Sequence, residues 1–468
     1  MKRRTFLATT AAATGAILFR GAGLNSAIAQ APGLPARDEF TVRNTILLTM
    51  DDTLGDFRDG DIHVRNGQIV AVGPKLPGGG TSIDGTGFIA MPGLIDTHQH
   101  MWTSIFRGLV GEKAEISYFA ARAKLGPSFT PEHMYRAVRL AMVQAVNSGV
   151  TTSNNMHHNV RGPEYADATI KAQQDVGQRG CFSYGPAELH PRDKEIDFAD
   201  IGRLKRAIDA GLGEGLITLG VFLRSPIETS DDLFRSEYRQ ARALDILVAL
   251  DGPSQQTGSP AIRKLNELGC LGPKMLLVHS PGTEKSDRQL LAANGVSLSS
   301  SPFTEMAGLA VMPAAIDMAN DGVNVSLSID TTGSPNDSNM FTIARVIMNL
   351  GRLAAKNPVG FNYKTALQMA TVNGARALGI LDRVGSLTPG KQADLILVRT
   401  TSLNMNPAPD LNPYRLLVGA QSEDVDTVVV DGRILKRGGK LVAIDSDRVI
   451  REAAAALTEL RQKVGWPS

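Results

Sequence analysis

Histidine is the side chain of this sequence best suited to chemistry near neutral pH, because it both ligates metals and moves protons there. Eight are present, and six stand at or just past runs that read as strands. His98 and His100 flank Gln99 after the run from Met91 to Thr97. In a strand, positions i and i+2 share a face, so both imidazoles point the same way. Two imidazoles so placed can chelate a divalent metal, or they can form a hydrogen-bonded pair in a core. His279 ends the apolar run from Met275 to Val278, and Asp330 ends the run from Val325 to Ile329. An isolated carboxylate at a buried strand end is costly, although an Asp there also serves as a helix cap. His157 and His158 follow another run, and His190 follows a third, close to Glu188. These three read as substrate contacts or loop structure. His63 and His133 fall outside these strand ends and read as structural.

Groups so scattered meet only if the fold brings strand ends together. The middle of the chain alternates apolar runs with helical patterns. The runs are 88–96, 149–153, 180–185, 216–223, 245–250, 274–279, 296–300 and 323–329. Helical spacing appears over 131–146, 197–210, 230–244 and 338–353, the first with Thr130 as cap and Pro131 at the first helical position. Repeated strand–helix units of this number predict a closed (β/α)8 barrel of the α/β class, which places chemistry at the C-terminal ends of its strands. No GxGxxG follows the first strand, which argues against an open dinucleotide-binding sheet. Toward the front, Asp61 to Arg65 and Gln68 to Val72 flank Asn66-Gly67, a hairpin signal. Similar β-rich runs return at 393–398 and 425–430. The two ends can pair only around an inserted middle, which predicts a small β-sandwich built from both termini. An amphipathic pattern over 446–464 reads as a helix packing on the barrel or on another copy of the chain in a homo-oligomer.

Composition narrows the function. The chain has 468 residues, 43% of them hydrophobic, and is globular in composition. A formal charge of +2 and 5% aromatic residues exclude an electrostatic or stacking nucleic-acid reader. Cys181 and Cys270 are too few for a disulfide framework or a Cys-type zinc site. The start, Lys2-Arg3-Arg4-Thr5-Phe6-Leu7, leads into a mild apolar stretch and then Ala27-Ile28-Ala29. That pattern reads as a twin-arginine export signal over residues 1–29, an address read by the translocation machinery and not a stable membrane anchor. Cleavage after Ala29 would remove Lys2, Arg3, Arg4 and Arg20 and no acid, changing the formal charge from +2 to −2. The expected location is the periplasm or the exterior, reached in the folded state.

Two longer motifs carry a resemblance. The front motif is Pro92-Gly93-Leu94-Ile95-Asp96-Thr97-His98-Gln99-His100. The tail motif runs from Ala370 to Gly379 and resumes from Gly385 to Asp394. With them the chain resembles the amidohydrolase superfamily, in its cytosolic-deaminase and chlorohydrolase-like branch. The resemblance implies a barrel over 92–384, a sandwich from 37–91 and 385–445, and a terminal helix over 446–468. It implies one divalent metal, zinc being suited to such ligands, with His98 and His100 as ligands. Asp330 is implied as ligand and general base, and His279 as a ligand or the group that polarises the substrate.

The sequence departs from this family on strand 5, where a histidine is usual and Ala249 or Asp251 stands instead. No Glu follows at the spacing typical of the deaminases, and strand 4 offers Arg224 but no Lys for a two-metal carbamate bridge. Three readings are open: Asp251 replaces the histidine, His157 or His158 supplies the imidazole, or the metal is weak or absent. Arg224 reads as the partner of an anionic substrate group or as a structural ion pair. Trp102, His157, His158, Glu188 and His190 complete the candidate substrate wall. The expected reaction is hydrolysis of a non-peptide C–N bond in an amide, urea, carbamate or amino-heterocycle. The alternative is a metal-poor barrel that acts as a lyase or binds a small ligand, and the orientation of Asp251 discriminates the two.

Overall fold

A computed structural model describes residues 33–111, 113–334, 337–407 and 412–466. The export signal lies outside the described residues. The chain begins with five short strands, Phe40–Leu47 (β1), Phe57–Arg65 (β2), Gln68–Gly73 (β3), Thr81–Asp84 (β4) and Phe88–Pro92 (β5). β2 and β3 form the expected hairpin, turning through Asn66 and Gly67 at φ 53° and 80°. Positive φ at both central residues is what a two-residue hairpin turn requires.

Eight parallel strands follow: Leu94–Gln99 (β6), Val150–His157 (β7), Arg179–Tyr184 (β8), Ile217–Leu223 (β9), Leu247–Leu250 (β10), Met275–Val278 (β11), Ser297–Ser300 (β12) and Asn324–Leu327 (β13). Each neighbours the next in sequence order, so the sheet runs from β6 to β13 in chain order. Its edges meet through a parallel bridge between Gln99 and Asp330, which closes the barrel. Leu395–Arg399 (β14), Val425–Val430 (β15), Arg433–Arg437 (β16) and Lys440–Leu441 (β17) then return to the first sheet. There β14 pairs antiparallel with β5, Leu395 opposite Pro92 and Arg399 opposite Phe88. The two ends of the chain thus share one sheet, with its own core of Phe40, Ile62, Val64, Leu387, Leu395 and Leu397. The architecture is a (β/α)8 barrel with a smaller β domain from both termini.

One expected element is corrected. The run 88–96 reads as a single barrel strand, but β5 belongs to the outer sheet and β6 to the barrel. The division falls at Gly93, where a Cβ would lie 2.1 Å from the Thr151 side chain. Only glycine permits that approach, and its N–H donates to the Asp394 carbonyl at 3.0 Å.

Helices cover the barrel as the periodicities predict. Pro131–Asn147 opens on Thr130, whose hydroxyl accepts from the His133 N–H while His133 Nδ1 accepts from the Thr130 N–H. This reciprocal cap explains His133, and His63 lies in the outer sheet beside Glu39 at 2.8 Å. The helix Ser446–Val464 packs on Pro131–Asn147, through His133 Nε2 to Glu459 at 2.9 Å and Arg139 to Glu452 at 2.9 Å. Both cysteines are free and buried. Among the described residues, no helix is long and apolar enough to cross a membrane.

A buried ion pair ties barrel to outer sheet. Arg179, at the start of β8, donates Nε to Asp394 at 2.7 Å and a second nitrogen to the other Asp394 oxygen at 3.0 Å. Both side chains are 2% exposed, so loss of one partner strands a buried charge. Asp394→Ala is expected to cost about 3–5 kcal/mol, read as a lowered urea midpoint, with much of the loss recovered when Arg179→Met is added. An unchanged midpoint in the single variant would show that the pair carries no weight.

Candidate active site

The barrel's C-terminal end brings five side chains together. His98 stands on β6 and His100 just beyond it, Asp251 follows β10, His279 follows β11 and Asp330 follows β13. His98 Nε2 lies 3.2 Å and His100 Nε2 3.6 Å from Asp330 Oδ1. Asp251 Oδ2 lies 3.0 Å from His100 Nε2, and its Oδ1 3.4 Å from His279 Nε2. His279 Nε2 is 3.9 Å from Asp330 Oδ2. Two overlapping groups, His98–His100–Asp330 and His98–Asp251–His279, each keep their ligand atoms within 4.8 Å of one another. The register between β6 and β7 shifts between Asp96 and Gln99, and this irregularity carries His98 and His100 onto the site.

A second layer fixes the rings. His100 Nδ1 meets the Met156 carbonyl at 2.8 Å, and His279 Nδ1 meets Glu305 Oε1 at 3.1 Å. Carbonyl and carboxylate oxygens only accept, so both Nδ1 atoms carry hydrogen and both Nε2 atoms face the centre. His98 Nδ1 lies 2.9 Å from the Met156 sulfur, a weak acceptor, with the same consequence. Metal-binding histidines are oriented in this way, by an acceptor on the nitrogen that does not ligate.

Burial and charge compete at every titrating group. Burial pushes the Asp251 carboxyl up, but His98, His100 and His279 outweigh it and hold it well below the usual range. Burial also raises Asp330, and the His98 hydrogen bond with the three surrounding imidazoles holds it low. Burial disfavours charge on His279, yet Glu305, Asp251 and Asp330 together raise it to about 9. Asp96 differs: burial takes it up to about 8, despite hydrogen bonds from the Ile329 and His98 N–H groups. The cluster therefore offers two ionised carboxylates and inward imidazole nitrogens. That donor set fits one divalent ion such as zinc.

The other expected residues divide. Asp251 enters the cluster, while His157 does not. His157 is fully buried on β7 with its ring 5.8 Å from that of Phe182. His158 stands beside the site, ring centroid 4.2 Å from that of His100, but its Nε2 faces Glu188 at 3.1 Å. Glu188 is held in turn by Arg122 at 2.8 Å. Trp102 is fully buried behind this wall, packed on Phe106, Phe129 and His158. His190 gives Nε2 to the Lys194 and Glu195 carbonyls of its own loop. Arg224 donates to the Pro191 carbonyl at 2.7 Å and lies 3.4 Å from Glu237, the structural reading of that residue. In both, donors are engaged by carbonyls of the 191–195 loop.

Sequence reasoning missed Met156, Glu305 and Arg122. Met156 had a signal, since it precedes His157 on a strand and alternation turns it inward. Glu305 and Arg122 had none: Arg122 comes from the helix Tyr118–Leu125 and Glu305 from the turn Thr304–Gly308, and no spacing ties either to the strand ends.

Comparisons with known proteins follow the same line. The amidohydrolase family matches residues 89–435. A 5'-deoxyadenosine deaminase of Methanosarcina mazei is 31% identical over 442 residues, 91% of this chain and 99% of that one. A 5-methylthioadenosine/S-adenosylhomocysteine deaminase of Pelotomaculum thermopropionicum is 27% identical over 88% of this chain and 96% of its own length. Among solved structures, an adenosine deaminase from Xanthomonas campestris with bound zinc superposes with a TM-score of 0.80 at 22% identity, covering 92% of this chain and all of that one. An atrazine chlorohydrolase from Arthrobacter aurescens, complexed with zinc, gives 0.77 at 21% identity over 89% of this chain and all of that one. The two structural likenesses speak to the fold.

The buried imidazole of His157 yields a pH prediction. Burial, reinforced by the charge on His100, lowers it from 6.5 to about 3. The unfolded chain therefore binds a proton that the folded chain refuses. Its contribution to stability is complete above pH 6.5 and is lost as pH falls toward 3, at about 1.4 kcal/mol per pH unit. His157→Leu is expected to flatten the fall of the urea midpoint between pH 6 and 4. Parallel pH curves for the two proteins would rule this out.

Proposed function

The chain belongs to the amidohydrolase family, and we propose that it is an exported, zinc-dependent hydrolase that deaminates an amino-heterocycle, with Asp330 as general base. The coarser statement stands on the comparisons: it is a hydrolase of carbon–nitrogen bonds other than peptide bonds. The relatives named as deaminases of adenine nucleosides support an aminopurine-like substrate over an amide or carbamate. The observation that carries the proposal is the meeting of His98, His100, Asp251 and Asp330 on one buried point. Asp251 takes the place of the strand-5 histidine as a harder ligand. The reading of a metal-poor lyase or binding protein would gain if Asp251 pointed away from the histidine pair. Its Oδ2 is instead 3.0 Å from His100 Nε2.

A bound divalent ion supplies Lewis-acid chemistry that makes water nucleophilic near neutral pH. The chain supplies the rest. Asp330, ionised and fixed by His98, accepts the proton of the attacking water and delivers it to the leaving nitrogen. His279 is the polarising group, with Nε2 aimed at the cluster and Nδ1 tied to Glu305. His158 and Glu188, beside His100 and held by Arg122, form the wall against which the ring lies. Export through the twin-arginine route would allow the metal to be inserted before the folded protein crosses the membrane.

Three measurements check this. Metal content by mass spectrometry is expected near one zinc per chain, and an active preparation below about 0.1 would contradict the mechanism. Asp330→Asn is expected to fold normally and lose about 10²–10⁴-fold in kcat on an aminopurine nucleoside panel, and retained turnover would remove Asp330 as the base. Arg3→Lys with Arg4→Lys is expected to abolish periplasmic accumulation, and an unchanged yield would refute the export route.

A further inference from the structure

We propose that Glu305 is a positioning residue for the hydrolysis, fixing the His279 ring so that Nε2 faces the reacting group. The inference rests on the reading of His279 as the polarising imidazole. Glu305 is fully buried, yet it belongs to neither metal-competent group. It stands in Thr304–Gly308, a single wide helical turn beyond β12, closed by the Leu309 N–H on the Thr304 carbonyl at 2.9 Å. Such isolated turns recur at functional sites.

Both oxygens of Glu305 are committed. Oε1 accepts from His279 Nδ1 at 3.1 Å and from the Ser301 N–H at 2.8 Å, and Oε2 accepts from the Ser300 hydroxyl at 2.8 Å. Three donors on three residues leave the carboxylate one orientation. A buried carboxylate placed for packing alone would be costly, so its partners account for its presence. His279 needs such a partner. It and Ser280 have φ of 60° and 46°, two successive residues in the left-handed region. Strain of this kind persists where surrounding contacts over-determine it. The backbone sets the direction of the side chain, but ring rotation of an imidazole is broad. Among the described residues, Glu305 makes the hydrogen bond that fixes that rotation.

The carboxylate that serves the polarising group comes from the far side, after strand 7.

The test compares wild type with Glu305→Gln and Glu305→Ala as full-length zinc-loaded proteins. Glu305→Gln keeps the shape and guards against a variant that merely fails to fold. Kinetics, zinc content and crystal structures are read together. The expected result is a kcat lowered about 10–100-fold, a KM within about threefold, and zinc retained. The His279 ring is expected to be turned or split between orientations in Glu305→Ala. A KM change with normal kcat would overturn the proposal, and so would loss of zinc along with activity, since Glu305 would then serve the metal. If wild type hydrolyses no C–N bond, the functional reading fails on its own. The His279 ring orientation then still decides: an unmoved ring in Glu305→Ala overturns the positioning role, and a turned ring upholds it.

Discussion

The barrel closes and the site assembles through the same two backbone hydrogen bonds. The Asp330 N–H donates to the His98 carbonyl at 2.9 Å, and the His100 N–H donates to the Asp330 carbonyl at 2.6 Å. They make the parallel bridge between Gln99 and Asp330 that joins the first barrel strand to the last. A barrel has no free edge only if this seam forms. The three residues that form it bear three of the five converging side chains. Site geometry is therefore as well determined as closure itself. A displacement of one residue along the seam would turn the two imidazoles and Asp330 to the wrong faces.

Below the seam the barrel interior is unusually polar. Thr97 Oγ1 meets Ser299 Oγ at 2.7 Å and Ser326 Oγ at 2.9 Å, Ser299 meets Ser328 at 2.7 Å, and Ser328 meets Ser301 at 2.7 Å. All five hydroxyls are buried. A hydroxyl both donates and accepts, so a chain of them satisfies itself without charge. Buried polar networks rigidify when complete and are costly when broken. This one links β6, β12 and β13, the strands on either side of the seam and the next one along. Its upper end, Ser301, also gives its N–H to Glu305. The hydroxyl chain thus backs the seam and the Glu305–His279 contact together.

Much of this was legible in the sequence, for identifiable reasons. A parallel strand buried on both faces is a short apolar run, and seven such runs ended within a few residues of β7 to β13. The i, i+2 pair of His98 and His100 announces a shared face before any fold is known. Gly93 was not legible as a boundary, because its role is a close approach to Thr151, far along the chain. His190 and Arg224 each sit near a strand end, but their contacts with the carbonyls of the 191–195 loop are not legible from spacing. Glu305 was invisible, since nothing in its spacing announces a contact with a histidine 26 positions away.

Asp251 is the departure that tests whether these assignments agree. Replacing an imidazole by a carboxylate adds a negative charge to a buried site, which is tolerated only if it is compensated. The groups divide into two balanced sets. Glu305 and the charged His279 form one, joined at Nδ1. Asp251 and Asp330, both held ionised, form the other, and their two charges match those of a divalent cation. Asp251 adds a second carboxylate beside the imidazoles, and Glu305 accepts the hydrogen of His279 Nδ1 on the ring's other nitrogen.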